Sequence, residues 1–180
     1  MIVTINHGKR IRLRSLQADD SGRLLNYLDG LSIDTRRRFG PHSFDGHTIE
    51  TICLNPPPGE LRFVADDTET SEIIAYAIIK KGYLLHDADR LSNYGLQLSG
   101  ESDCTFAPSV ADGWQSSGLG SKLFEFILSQ TRSMNFKRII LWGGVQATNE
   151  KAIRFYQKFN FRTLGEFEYN GKNFDMILEI

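Results

Sequence analysis

The sequence predicts a mixed α+β fold, and three observations carry that reading. Short β-branched or aromatic runs alternate apolar and polar residues, other stretches repeat apolar residues at three- and four-residue spacing, and the two kinds interleave without a linker or internal repeat. The 180 residues suit one domain of ordinary size, spanning 1–180, and 41% hydrophobic with 11% aromatic content is ample for a core. Twenty-one Lys and Arg against 22 Asp and Glu leave a formal net charge of −1, which excludes a strongly basic nucleic-acid binder. No apolar run approaches the roughly 20 residues that span a bilayer, and the opening MIVTINHGKRIRLRS alternates where a signal peptide would be continuously apolar. A soluble, cytoplasmic chain without nucleic-acid or membrane partners is expected. Cys53 and Cys104 stand in no CxxC arrangement, which fits a reducing compartment. His7, His42, His47 and His86 are scattered, so they read as surface residues and no metal site is expected.

Taken in order, Ile11-Arg12-Leu13-Arg14 alternates like a half-buried strand. Asp19, Asp20 and Ser21 then offer capping side chains to a helix carrying Leu24, Leu25, Tyr27 and Leu28. Residues 31–40 predict a short helix capped at Ser32 or Asp34, and residues 48–54 another, ended by Pro56-Pro57-Pro58-Gly59. Residues 61–65 and 73–79 flank a polar turn and predict an antiparallel hairpin. Residues 80–100 are polar, with Leu96 and Leu98 as a candidate strand start, and the strand continues through Cys104 to Val110. Pro108 within it must lie where no ladder donor is needed. Leu119, Leu123, Phe124, Ile127 and Leu128 form a helical stripe, residues 138–142 a buried strand, and Ala152, Ile153, Tyr156 and Phe159 a second stripe. Tyr169-Asn170-Gly171-Lys172 is an Asn-Gly hairpin signal between two closing strands.

Chemistry concentrates in Trp114-Gln115-Ser116-Ser117-Gly118-Leu119-Gly120-Ser121-Lys122, a Gly-rich turn between a strand and an amphipathic helix. Such a turn suits an anion, because the unpaired amides of the first helical turn and the positive end of the macrodipole face it together. The letters match neither GxxxxGK[ST] nor an early GxGxxG. A second segment, Asn149-Glu150-Lys151-Ala152-Ile153-Arg154-Phe155-Tyr156-Gln157-Lys158-Phe159-Asn160-Phe161, follows with room between for a helix, a strand and a second helix start. On these residues alone, Asn149 reads as a helix N-cap and Tyr156 as a core aromatic.

Together the two segments resemble the GCN5-related N-acetyltransferase (GNAT) family. Its pattern [RQ]xxGx[GA] is met by Gln115, Gly118 and Gly120, and its later NxxAxx[LF]YxKxGF by Asn149, Ala152, Phe155, Tyr156, Lys158 and Phe161. Asn160 stands where the family has Gly, a mild departure because Asn tolerates the left-handed conformation that ends a helix. Residues 110–115 and 31–39 also resemble passages of the subgroup related to bacterial protein-lysine acetyltransferases, which suggests a protein lysine as acceptor.

The resemblance implies a mostly antiparallel central sheet flanked by helices, the acyl-CoA N-acyltransferase fold, with acetyl-CoA as acetyl donor and a primary amine, small molecule or protein lysine, as acceptor. It implies that backbone groups of Ser109, Val110 and Ala111 hold the pantetheine arm where two strands part, and that the amides from Gln115 through Ser116, Ser117, Gly118, Leu119, Gly120 and Ser121 hold the pyrophosphate. Asn149 would bond the arm, and Tyr156 would be the general acid that protonates the departing thiolate. No convincing base stands at Cys104 or Thr105, where a family glutamate is often found. Asp103 or Glu101 through water, Glu166 or Glu168 from the final hairpin, or an amine deprotonated by its surroundings all remain open, as does an inactive acyl-CoA-binding regulatory module. Arg36-Arg37-Arg38 reads as a solvated helical face or a contact to the 3′-phosphate or an acidic acceptor. A homodimer is compatible with all of this.

Overall fold

Ile11 and Leu13 are fully buried while Arg10 and Arg12 are exposed, so Arg10–Ser15 (β2) is the half-buried strand its alternation predicts. The computed structural model describes residues 1–180, with the side chains of His7 and Ser133 outside the described residues. The chain divides into a first unit, Met1–Ile78 with Pro108–Gln130, and a second, Ile79–Ala107 with Thr131–Ile180.

In the first unit β1 (Ile2–Thr4) pairs antiparallel with β2, and β2 with β3 (Glu60–Asp67). The hairpin to β4 (Ile73–Lys81) closes through Asp67 N–H to the Glu72 carbonyl at 3.0 Å. Four helices belong here: α1 (Ser21–Asp29), α2 (Ile33–Arg38), α3 (Gly46–Leu54) and the body of α5 (Leu119–Thr131). Ser32 caps α2 by accepting from the Thr35 amide, and Asp45 caps α3 through the Thr48 amide. Asp20 stands at the N-cap of α1, but its carboxylate makes no capping bond there. It accepts instead from Arg14, at 2.5 and 2.9 Å, from Arg23 and from the Gln17 amide at 2.8 Å, while Arg14 also reaches Asp66 at 2.7 Å. A fully buried carboxylate is better stabilised by two guanidinium groups than by one helix amide.

The second unit holds α4 (Ala88–Asn93), β5 (Asp103–Val110) up to Ala107, β6 (Arg138–Leu141), β7 (Val145–Gln146), α6 (Glu150–Lys158), β8 (Arg162–Glu168) and β9 (Lys172–Glu179). β5 and β6 run parallel, whereas β9 pairs antiparallel with β6, β7 and β8. The sheet is therefore mixed and mostly antiparallel with flanking helices, as expected. Asn170 and Gly171 both adopt positive φ, 50° and 103°, in the turn from β8 to β9, which is the backbone that makes Asn-Gly a hairpin signal.

Leu96 and Leu98 do not open a strand. They lie in a loop and pack on a cluster of Leu91, Ile140 and Ile177, so their spacing anchors a connection. The two-residue β7 is too short to leave a periodic signal and was not anticipated. Arg90 on α4 donates to Asp175 of β9 at 2.7 and 3.1 Å, a tie across 85 positions that fixes the segment whose edges the sequence leaves open.

Candidate functional site

The pairing of β5 with β6 ends at Phe106 with Leu141, plus one bond from Trp142 N–H to the Phe106 carbonyl at 2.9 Å, and β5 runs on to Val110. Pro108 thus falls past the last ladder partner, where a missing donor costs nothing. Ala111 donates its N–H to the Ile74 carbonyl at 2.9 Å and so faces β4. By the pleat, Ser109 faces β4 as well, and its hydroxyl bonds the Tyr76 carbonyl at 3.4 Å and the Tyr27 phenol at 2.8 Å. Of the three residues expected to hold an extended arm, Val110 alone turns its backbone to the side away from β4.

A single helical turn, Asp112–Trp114, leads into the Gly-rich loop. Ser116 and Gly118 take positive φ, 62° and 88°, the kind of backbone setting that lets successive N–H groups turn to one side. Among the described residues the amides of Ser116, Ser117, Gly118 and Gly120 have no hydrogen-bond partner, while Leu119 N–H meets Ser117 Oγ at 3.4 Å and Gln115 N–H the Asp112 carbonyl at 3.4 Å. Unpaired amides at the start of a 13-residue helix, with its dipole behind them, are suited to receive an anion. A Cβ added at Gly118 would find only Asn6 Oδ1 at 3.8 Å, so the glycine is there for its backbone and not for lack of room.

A cluster that sequence reasoning left unassigned braces this loop. Asp112 accepts from Ser32 N–H at 2.9 Å, Ser32 Oγ at 2.8 Å and Thr35 Oγ1 at 2.7 Å, and these bonds, the Ser32 amide first, hold its carboxyl below the usual carboxylate range. Gln115 Nε2 donates to the Val110 carbonyl at 3.3 Å and to Thr35 Oγ1 at 3.4 Å, so the motif glutamine shapes the loop with its side chain. The signal was present as two short motifs, residues 31–39 and 110–115. Nothing in either shows that they touch.

In the second unit, Asn149 Oδ1 accepts from Ala152 N–H at 3.3 Å, which makes it the N-cap of α6 and leaves its carboxamide donors without a partner among the described residues. Tyr156, on α6, is 7% exposed, with the Phe155 and Phe161 rings at 5.3 and 5.2 Å. Its hydroxyl has no hydrogen-bond partner among the described residues, and burial pushes the phenol well above its ordinary value. Asn160, with φ 62°, ends the helix in the left-handed conformation that the family's glycine would adopt.

The candidate bases fare unequally. Asp103 is fully buried and committed, accepting from Arg138 at 2.7 and 2.8 Å and from the Ser99 amide at 2.8 Å. Burial pushes the Cys104 thiol up to about 12. Glu101 pairs with Lys81 at 2.5 Å, Glu166 pairs with Lys172, and Glu168 is exposed on β8. Arg36 bonds Asp29 at 3.0 Å, whereas Arg37 and Arg38 are exposed.

The chain matches the sequence profile of the family described as "Acetyltransferase (GNAT) family" over residues 15–161. Among solved structures it is similar to the GNAT domain of S. lividans PAT, at TM-score 0.78 and 18% identity over 100% of this chain and 96% of that one. It is also similar to a ribosomal-protein-S5-alanine acetyltransferase from Vibrio fischeri, at TM-score 0.75 and 14% identity over 99% and 96%. A spermidine N-acetyltransferase SpeG chimera from Vibrio cholerae and hSSAT aligns at TM-score 0.67 and 19% identity over 94% and 95%. No curated protein sequence matches the chain. No helix among the described residues is long and apolar enough to cross a membrane.

Proposed function

The chain belongs to the GNAT acetyltransferase family, and on that premise we propose that it is an N-acetyltransferase that moves an acetyl group from acetyl-CoA to a primary amine by direct attack. The observation that carries the reading is the set of unpartnered amides at Ser116, Ser117, Gly118 and Gly120, held at the start of α5 just beyond a strand end whose pairing with β6 has stopped. A pyrophosphate meets oriented N–H groups there without needing a surface rich in positive charge. Val110 offers the pantetheine arm its backbone N–H, its carbonyl being taken by Gln115, and Asn149 offers carboxamide donors to a carbonyl of the cofactor.

Tyr156 is the acid in this reading. Its buried phenol keeps its proton throughout the physiological range, and no group among the described residues competes for that hydrogen. The apolar surroundings that disfavour a phenolate disfavour a thiolate as well, so the proton that the phenol gives to the departing sulfur is replaced by the one that the acylated amine must lose, leaving neutral thiol, amide and phenol. The acceptor class is a primary amine, with a protein lysine favoured by the resemblance at residues 31–39 and 110–115.

The commitment of Asp103 to Arg138 favours one second reading, a GNAT-fold module that binds acyl-CoA without turnover. Incubation with acetyl-CoA and a panel of lysine peptides, polyamines and small amines, following free thiol, separates the two. Thiol release that depends on one of the amines, and falls strongly in Tyr156→Phe, supports the transferase. Calorimetric binding of CoA with no release for any amine supports the module. No binding of CoA removes both.

A further inference from the structure

We infer that Asp112 is a positioning residue for the anion-binding loop: its carboxylate clasps the start of α2 so that the loop keeps the shape in which its amides converge. The inference rests on the reading of that loop as the acetyl-CoA site. Asp112 lies outside both family patterns and faces no amide of the nest, yet it is the residue on which the contacts between the two segments concentrate.

The geometry is specific. One carboxylate oxygen takes the Ser32 amide at 2.9 Å, and the other takes the hydroxyls of Ser32 and Thr35 at 2.8 and 2.7 Å, with Gln115 Nε2 at 3.5 Å. Ser32 Oγ and Thr35 Oγ1 lie 3.2 Å apart, and Thr35 Oγ1 also accepts from Gln115 at 3.4 Å. Gln115 continues the chain of bonds to the Val110 carbonyl at 3.3 Å. The clasp therefore joins α2, the turn at Asp112–Trp114, the first residue of the loop and the free end of β5. Immediately after Gln115 the backbone must enter positive φ at Ser116, a conformation that a residue with a Cβ leaves readily when nothing holds it. The loop is also held by Ser117 Oγ on the Trp114 carbonyl at 2.6 Å, Asn6 N–H on the Ser117 carbonyl at 3.4 Å, Lys122 N–H on the Gly118 carbonyl at 3.2 Å and the weak Leu119 and Gln115 amide bonds described above, all between neutral groups. A charged acceptor with several donors is a stronger brace than such neutral bonds.

Such preorganisation differs from simple stabilisation in what it moves. Without the carboxylate, the amides spend part of their time out of register, and CoA must restore them on binding. Losing a charge-assisted cluster of this kind corresponds to about tenfold weaker binding.

The test is calorimetric titration of CoA into wild type, Asp112→Ala, Asp112→Asn and Thr35→Val, with steady-state kinetics beside it. Expected are a dissociation constant raised about tenfold in D112A, partial recovery in D112N, which keeps one acceptor oxygen, and a smaller loss in T35V. The acetyl-CoA KM should rise in parallel, with kcat within about twofold of wild type. Combining D112A with T35V should cost little more than D112A alone, since both act through one cluster. Unchanged CoA affinity in folded D112A, or full additivity with T35V, overturns the clasp while leaving the transferase reading intact. A wild-type protein that binds no CoA overturns both. If D112A does not fold, D112N and T35V carry the comparison, and wild-type affinity in both overturns the inference.

Discussion

Replacing Gly118 by alanine separates what its backbone does from what its space does. The residue sits at φ 88°, and the new methyl would meet only Asn6 Oδ1 at 3.8 Å, an ordinary contact. The cost is therefore conformational, about 1–2 kcal/mol for forcing a residue with a Cβ to positive φ. That strain has two outlets. If the loop keeps its shape, global stability falls by about 1–2 kcal/mol and CoA binds as before. If the free loop relaxes, stability is retained and the same energy returns as an affinity lowered about 5–30-fold. The sum is the constrained quantity, so urea denaturation and calorimetric titration of CoA should be run on the same preparation. Stability and affinity losses that together come to less than about 0.5 kcal/mol would falsify the idea that positive φ at this position shapes the amide site.

Three further outcomes follow from the structure. Arg138→Met strips both guanidinium bonds from the fully buried Asp103, and chemical denaturation should show a loss of about 3–5 kcal/mol; Met at 138 together with Asp103→Leu should recover much of it. Asn160→Ala, at φ 62°, should cost about 1–2 kcal/mol, whereas Asn160→Gly should be neutral or mildly stabilising, read from urea midpoints. Stability should also decline in two windows as pH falls. Burial, with Arg62 nearby and only Glu60, Asp45 and the Ser43 carbonyl opposing, holds His42 below its ordinary value, so its contribution is present above the unfolded value of about 6.5 and lost as pH falls below it. Asp20 is held low because hydrogen bonds from Arg14 and the Gln17 amide outweigh its burial, and Asp112 is held low chiefly by the Ser32 amide. Their contribution is present above about 3.9 and lost as pH falls through their depressed values. Urea midpoints measured from pH 8 to 3 should show the first decline in wild type but not in His42→Phe.

What could be read in the letters was local. Pro108 announced a position that needs no ladder donor, Asn170-Gly171 a tight hairpin and Asn160 a left-handed helix end, because each residue type constrains its own backbone whatever surrounds it. The Gly-rich loop and Asn149 were legible for the same reason. The partners of charged groups were not. Asp20 and Asp103 look alike in sequence, as a cap and as a potential base, yet long-range arginines claim both carboxylates. Leu96 and Leu98 alternate like a strand but serve a loop, since the cluster they join is assembled from α4, β6 and β9. The contact of Ser32 and Thr35 with Asp112 crosses about eighty positions, and neither motif alone implies it.

The free end of β5 is also a hazard, because an unpaired strand margin is a template for any extended polypeptide. Here the margin is trimmed. Pro108 presents no donor, and the Val110 carbonyl is already occupied by the Gln115 side chain, so an intruding strand would find alternate rungs missing. A narrow arm with a few amides can still dock where a peptide ladder cannot propagate. The proline and glutamine at this strand end thereby guard the protein against pairing with its neighbours.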